Sequence, residues 1–247
     1  MDVRAKFLTF QKDRFLIKKD GWFHLIISLG GILLFLNVSC SMENGSSYDT
    51  EIYQESFANN TNGWTTTSGG EQSATIADGF LTLTNSSTSV PCILRVVQNG
   101  SAFSLTGPYK LEVAFSFPSQ PDSTYAKALI QFNYYTTNNG PVFDYVSVTS
   151  SGYYLVGHYP SEEGNYYYYT GGYVFSGAIN QEGKNLLSIT QYGGGFSLAI
   201  NSSFIGFYTN TFYSGMPYQF WLGLEKGANN SALGSVSIQF DELTIYQ

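Results

Sequence analysis

Cysteine is nearly missing from this chain: only Cys40 and Cys92 occur in 247 residues. Two cysteines so placed cannot build the disulfide framework of a small secreted scaffold. A Cys40–Cys92 bridge is the single pairing available; otherwise Cys92 is a small buried apolar residue. Charge is scarce as well, at 12% of residues, and six of the eleven basic residues (Arg4, Lys6, Lys12, Arg14, Lys18, Lys19) lie at the start. From Cys40 onward only Arg95, Lys110, Lys127, Lys184 and Lys226 face fifteen carboxylates, a net charge of −10. That sign makes nucleic acid a poor partner. Past Cys40 the chain has one histidine, His158, which supplies neither a multi-histidine zinc site nor a well-furnished base for a catalytic thiol. It reads as an exposed or strand-edge residue.

Long helical periods are missing too. In their place stand 20 Tyr, 19 Phe and 26 Gly, a balance that favours strands and turns over helices. From Ile52 onward short alternating runs are separated by Gly, Asn, Ser and Pro clusters, the pattern of an antiparallel sandwich. Strands are expected over 52–57, 73–77, 79–84, 92–98, 109–117, 125–135, 142–149, 152–159, 172–175, 185–192, 195–201, 204–208, 218–225 and 234–246. Gly193-Gly194-Gly195 and Asn201-Ser202 supply residues that tolerate positive φ, so each should close a hairpin. No linker divides the roughly 200 residues after Cys40, a length that all-β chains commonly use for one domain.

The N-terminal order is charged, apolar, small residue, as in an export signal. The apolar run Trp22–Val38 ends in Val38-Ser39-Cys40, which resembles the lipobox of bacterial lipoproteins. The resemblance implies a signal helix over 1–39, a lipidated Cys40 as mature N-terminus, a flexible tether through residue 51 and a domain over 52–247. Ser41 is compatible by analogy with outer-membrane sorting, so the implied place is the bacterial cell envelope. The rival is an export signal without lipid, cut or retained. As an uncut anchor the run is interrupted by His24, Gly30, Gly31 and Asn37 and is shorter than the roughly 20 residues that span a bilayer.

A second resemblance runs through the domain. Ser56-Phe57…Asn62-Gly63-Trp64, Ile76-Ala77-Asp78-Gly79-Phe80-Leu81, Tyr109-Lys110-Leu111-Glu112-Val113, Leu129-Ile130-Gln131-Phe132, Asn185-Leu186-Leu187, Phe196-Ser197-Leu198 and Phe240-Asp241-Glu242-Leu243 occur in an order that resembles the concanavalin A-like lectin and glucanase jelly roll. It is most similar to laminin-G-like and keto-disaccharide-hydrolase-like domains. The resemblance implies an all-β fold of two stacked antiparallel sheets with a concave face that often meets glycans; it implies no single activity. The alternating Glu-x-Asp-x-Glu pattern of the glucanase branch is not present. Glu162-Glu163 and Asp241-Glu242 are adjacent pairs, whose side chains point to opposite faces of a strand and cannot flank one glycosidic bond.

Alternation also predicts faces. In the run 130–135, Ile130, Phe132 and Tyr134 are expected in the core, leaving Gln131, Asn133 and Tyr135 outward. Phe220, Leu222 and Leu224 should be core, with Trp221 and Glu225 outward, and Tyr145 and Ser147 oppose Val146 and Val148. Gln131, Asn133, Tyr135, Tyr145, Trp221 and Glu225 would then offer amides, a carboxylate and flat rings on one sheet face. That mixture suits carbohydrate, whose C–H face stacks on aromatic rings while its hydroxyls meet polar groups. A solvated sheet face covered by rings for stability is the alternative. In Tyr166-Tyr167-Tyr168-Tyr169 two rings should lie on each face. They suit an aromatic rim for a glycan or an envelope protein, or cross-strand pairs that only stabilise a loop. No cofactor is expected. Asp78, Asp122, Asp144 and Asp241 are scattered and give calcium weak support.

Overall fold

The computed structural model describes residues 23–29, 32–38, 48, 50–67, 70–87, 92–97, 105, 107–118, 126–138, 140–160, 166–209, 219–226 and 234–247. It divides into two units, Met1–Ser47 and Tyr48–Gln247. In the first, β1 (Phe23–Leu29) and β2 (Ile32–Val38) pair antiparallel, from Phe23↔Val38 to Leu29↔Ile32. A helix was expected over this run, and the described residues hold a hairpin instead. Ile26, Ile27, Ile32 and Val38 are β-branched, and Gly30-Gly31 is a sequence suited to a two-residue turn. Cys40 and residues 41–47 lie outside the described residues.

The second unit is all β. Its strands are β3 (Glu51–Glu55), β4 (Gln72–Ala77), β5 (Phe80–Asn85), β6 (Cys92–Val97), β7 (Tyr109–Ser116), β8 (Ala126–Thr137), β9 (Gly140–Thr149), β10 (Tyr153–Tyr159), β11 (Tyr167–Tyr168), β12 (Val174–Phe175), β13 (Lys184–Tyr192), β14 (Gly195–Ile200), β15 (Ser203–Thr209), β16 (Gln219–Lys226) and β17 (Val236–Tyr246). One sheet runs β11-β10-β9-β8-β16-β6 with β12 also on β10; the other runs β15-β14-β13-β7-β17-β5-β4 with β3 also on β17. All pairings are antiparallel. Two such sheets in this strand order form a concanavalin A-like jelly-roll sandwich.

The sandwich closes because strands of both sheets turn an apolar face inward. Leu111, Val113 and Phe115 of β7 and Leu187 and Ile189 of β13 face Ala128, Ile130 and Phe132 of β8 and Phe220, Leu222 and Leu224 of β16, all buried in one core. Rings lock the sheets together: Phe132 meets Phe196 edge to face at 4.9 Å, and Tyr109 meets Phe220 at 5.8 Å. Such pairs add about 0.5–1.5 kcal/mol beyond burial. The expected hairpins occur at both places, and Asn201 and Ser202 adopt φ of 50° and 64°, the left-handed conformations of a two-residue turn.

The loop after β3 is held by a buried carboxylate. Glu55 accepts from the Phe57 amide (2.7 Å), from Asn62 Nδ2 (2.8 Å) and from Trp64 Nε1 (2.8 Å). With those bonds made, Phe57 can hold a φ of 54° and Trp64 can be buried. Tyr48 donates to the Gln191 carbonyl (3.2 Å) and packs on Tyr192, Thr50 accepts from the Gln247 amide (2.9 Å) and Glu51 opens β3, so these three residues, read as tether, lie on the sandwich.

Candidate functional site

The outer face of the sheet built from β16, β8, β9 and β10 carries the site. Register sets which side chains share it: Lys127 pairs with Glu225, Leu129 with Ser147 and Gly223, Gln131 with Tyr145 and Trp221, and Tyr145 with Gly157. Directly paired residues project to the same side. Leu129, Phe143, Tyr145 and Leu155 form a second, smaller apolar cluster there, with Tyr134 and Tyr159 against it.

Two glycines shape the surface. Gly223 places no side chain between Trp221 and Glu225. At Gly157 a Cβ would fall 2.5 Å from Tyr145 Oη and 2.6 Å from its Cζ, so the ring lies directly over the β10 backbone. The result is a cavity of about 230 Å³. Leu129 and Leu155 contribute apolar lining, Gln131, Ser147, Lys127 and Glu225 contribute polar groups, and Tyr145, Tyr166, Tyr168 and Tyr173 contribute rings.

The polar groups differ in how they are held. Lys127 Nζ donates to Glu225 Oε1 at 2.8 Å and lies 5.1 Å from the centre of the Tyr173 ring. Burial pushes the Lys127 pKa down, but the bond to Glu225 and its charge outweigh that and leave it raised. Burial, with nearby Tyr168, Tyr166, Tyr173 and Glu225, pushes the Tyr145 phenol up. Tyr145 therefore stays a neutral hydroxyl. Gln131 is 2% exposed and its Oε1 has no partner within the described residues. A buried polar atom left so costs about 1–3 kcal/mol, and it is open to a hydrogen bond from a water or a ligand.

Beside the cavity a ladder of rings crosses four strands. Trp221 stacks on Tyr134 (5.2 Å, 21°), Tyr134 on Phe143 (5.9 Å, 11°) and Phe143 on Tyr159 (5.2 Å, 20°), and Tyr159 meets Tyr166 at 4.9 Å. Of the six expected site residues, Gln131, Tyr145 and Glu225 line the cavity, and Trp221 stands in this ladder on the same face.

Asn133 and Tyr135 do not join them. Between Phe132↔Asp144 and Tyr135↔Val142 the register shifts, so Asn133 and Tyr134 together oppose Phe143. This β-bulge has Asn133 at φ 52° and reverses the faces beyond it. Tyr134, expected in the core, emerges into the ring ladder. Tyr135 pairs with Val142 on the side of Asp144, away from the cavity. Asn133 points between the sheets, 1% exposed: it accepts from Tyr109 Oη (2.6 Å) and donates to Asp144 Oδ2 (2.7 Å) and Gln191 Oε1 (2.8 Å).

Asp144 centres the network that Asn133 enters. His158 Nδ1 donates to its Oδ1 at 2.9 Å and Tyr169 Oη at 3.1 Å. His158 is 2% exposed, so the strand-edge reading is corrected; it lies inside because β10 alternates it with Val156 and Tyr154. Tyr169 thereby anchors the tyrosine segment. Tyr166 and Tyr168 face the cavity, while Tyr167 packs on Tyr169 at 5.4 Å on the other side. Burial, then the Asp144 charge, pushes the Tyr169 phenol up.

Chemically the lining described carries one carboxylate, Glu225, and Lys127 holds it; glycoside hydrolysis by two carboxyls needs a second about 5–9.5 Å away. Among the described residues no three His, Cys, Asp or Glu cluster to hold a metal. Asp144 is in the buried network, Asp241 pairs with Lys184 at 2.7 Å, and Asp122 and Glu162-Glu163 lie outside the described residues.

No family model matches the chain, and no curated protein is similar enough to count as a relative. Solved structures do share its fold. LamAcat from Zobellia galactanivorans superposes with TM-score 0.57 at 12% identity, covering 83% of this chain and 100% of that one. A structure from work on endo-acting O-glycanases that human gut bacteria express to initiate mucin breakdown gives 0.60 at 10%, over 80% and 99%. The Bacillus licheniformis β-glucanase gives 0.54 at 14%, over 79% and 97%. At these identities the likeness defines a class by fold, the concanavalin A-like sandwiches.

Proposed function

We propose that this protein binds carbohydrate, without cleaving it, on the outer face of the β16-β8-β9-β10 sheet. The observation that carries the reading is the cavity: tyrosine rings around an apolar lining, with a buried Gln131 whose Oε1 has no partner among the described residues and the Lys127–Glu225 pair. Rings accept the C–H face of a sugar, and the polar groups fix its hydroxyls. A glycan array and polysaccharide pull-down on the full chain, with and without calcium, test it. Tyr168→Ala should weaken the binding at least tenfold with the melting temperature nearly unchanged, because Tyr168 is half-exposed. Specific binding that survives Tyr168→Ala in full would move the site elsewhere.

The proposal includes export and a lipid on Cys40, holding the domain in the cell envelope. Each buried CH₂ of the acyl chains contributes about 0.8 kcal/mol, so several chains anchor stably. Cys40→Ser should then release the protein from the membrane fraction. A second reading is favoured by the exposed Tyr153, Tyr167, Val174 and Phe175 along β10, β11 and β12: these apolar side chains suit an envelope protein. Silence of a folded sample toward every saccharide would favour it.

A further inference from the structure

Resting on the carbohydrate reading, the geometry points to a narrower ligand: we infer that the cavity takes one terminal N-acetylated sugar ring, uncharged, and not a run of polysaccharide. Size is the first reason. At about 230 Å³ the cavity is smaller than the roughly 300–1,000 Å³ typical of drug-sized ligands, which is room for a single ring with its substituents. The stacked rings of Trp221, Tyr134, Phe143 and Tyr159 fill the adjoining part of the sheet face, and Tyr166 ends that ladder at the cavity rim. Among the described residues, therefore, a polymer has no continuous trough across these strands.

The lining chooses the substituent. Leu129 and Leu155 lie on the same face as Gln131, and Leu155 pairs with Ser147, which pairs with Leu129. Hydroxyls laid on two leucines would lose their hydrogen bonds. An acetamido group has a methyl for the leucines and an amide for Gln131, whose Oε1 bonds nothing among the described residues. Its amide N–H supplies the donor that oxygen lacks. Charge disfavours acidic sugars. Among the described lining residues the cation is Lys127, and it is neutralised by Glu225 at 2.8 Å, so an added carboxylate would meet Glu225 beside a cation already paired.

Titrating the full chain in detergent with methyl glycosides of N-acetylglucosamine, N-acetylgalactosamine, glucose, galactose and glucuronic acid, followed by tyrosine and tryptophan fluorescence, tests this. At least one N-acetylated glycoside should bind ten or more times tighter than its 2-hydroxy counterpart, and glucuronide should bind no better than glucose. In Gln131→Leu, a change of similar volume, that preference should fall to within about threefold, the acetylated glycosides losing more affinity than the plain ones. Equal affinity for the acetylated and plain sugars would overturn the inference and leave carbohydrate binding standing. Binding of long polysaccharides with no response to any monosaccharide would overturn it too, by showing a trough. No response of the folded chain to any saccharide would remove the carbohydrate reading itself.

Discussion

At Gly157 a side chain would need the space that the Tyr145 ring fills, with a Cβ 2.5 Å from its hydroxyl. The glycine is required by a close approach, since β10 is otherwise regular there. Gly157→Ala forces either the ring or the strand to move, and overpacking of this kind costs about 1–3 kcal/mol. The ring is a cavity wall, so saccharide binding should fall along with stability. Combining Gly157→Ala with Tyr145→Ala removes the clash, and thermal melts of the four proteins should show the two costs to be less than additive. Additive losses would mean that the ring does not lie over β10. Nothing about Gly157 marks it in sequence, because a contact between neighbouring strands is invisible until register is known. Tyr145 is different: its place opposite Val146 and Val148 is legible by alternation alone.

Alternation serves the elements well until a bulge interrupts it. The strands around Gln131, Tyr145, Trp221 and Glu225 keep strict period, and their faces follow from sequence. Asn133-Tyr134 continues the same apolar and polar rhythm on paper, yet two residues there oppose one, and every face beyond them is reversed. Asparagine tolerates the left-handed conformation better than most residues, which is the faint signal the sequence offers. The tyrosine segment shows the same limit. Two faces for four rings are readable, but Tyr169 reaching Asp144 is a long-range contact. That bond ties the cavity rim to the buried network, so Tyr169→Phe should cost about 1.5–3 kcal/mol, the worth of a hydrogen bond to a charged acceptor. Amide exchange should quicken across residues 166–173 first, and saccharide affinity should drop although Tyr169 does not line the cavity. Unchanged exchange there would show that β11's pairing to β10 holds the rim without it.

For the whole molecule, the abundance of rings that makes the chain readable as a β-sandwich also sets how it responds to alkali. Burial raises the phenol pKa of Tyr53, Tyr145, Tyr169 and Tyr208 above the ordinary 10.0, because a buried tyrosinate is poorly solvated. Lys127 is raised above 10.5 by Glu225 despite burial. All five shifts have one sign. A group whose folded pKa exceeds its unfolded one contributes stability that is complete below the unfolded value and lost as pH climbs through the folded value. Below pH 9 these groups therefore leave stability flat. Above about pH 10 the unfolded chain releases protons that the folded one keeps, and each group lowers stability by at most about 1.4 kcal/mol per pH unit. Solvent reaching the partly exposed Tyr169, Tyr208 and Lys127 reduces their share. Because the terms add, the melting temperature should fall steeply between about pH 10 and 11.5. Tyrosinate absorbance should appear in two stages, with Tyr53, Tyr145, Tyr169 and Tyr208 releasing their protons only on unfolding. A single smooth titration of all tyrosines in a still-folded protein would contradict the burial on which the cavity, the rim anchor and the inter-sheet network all depend.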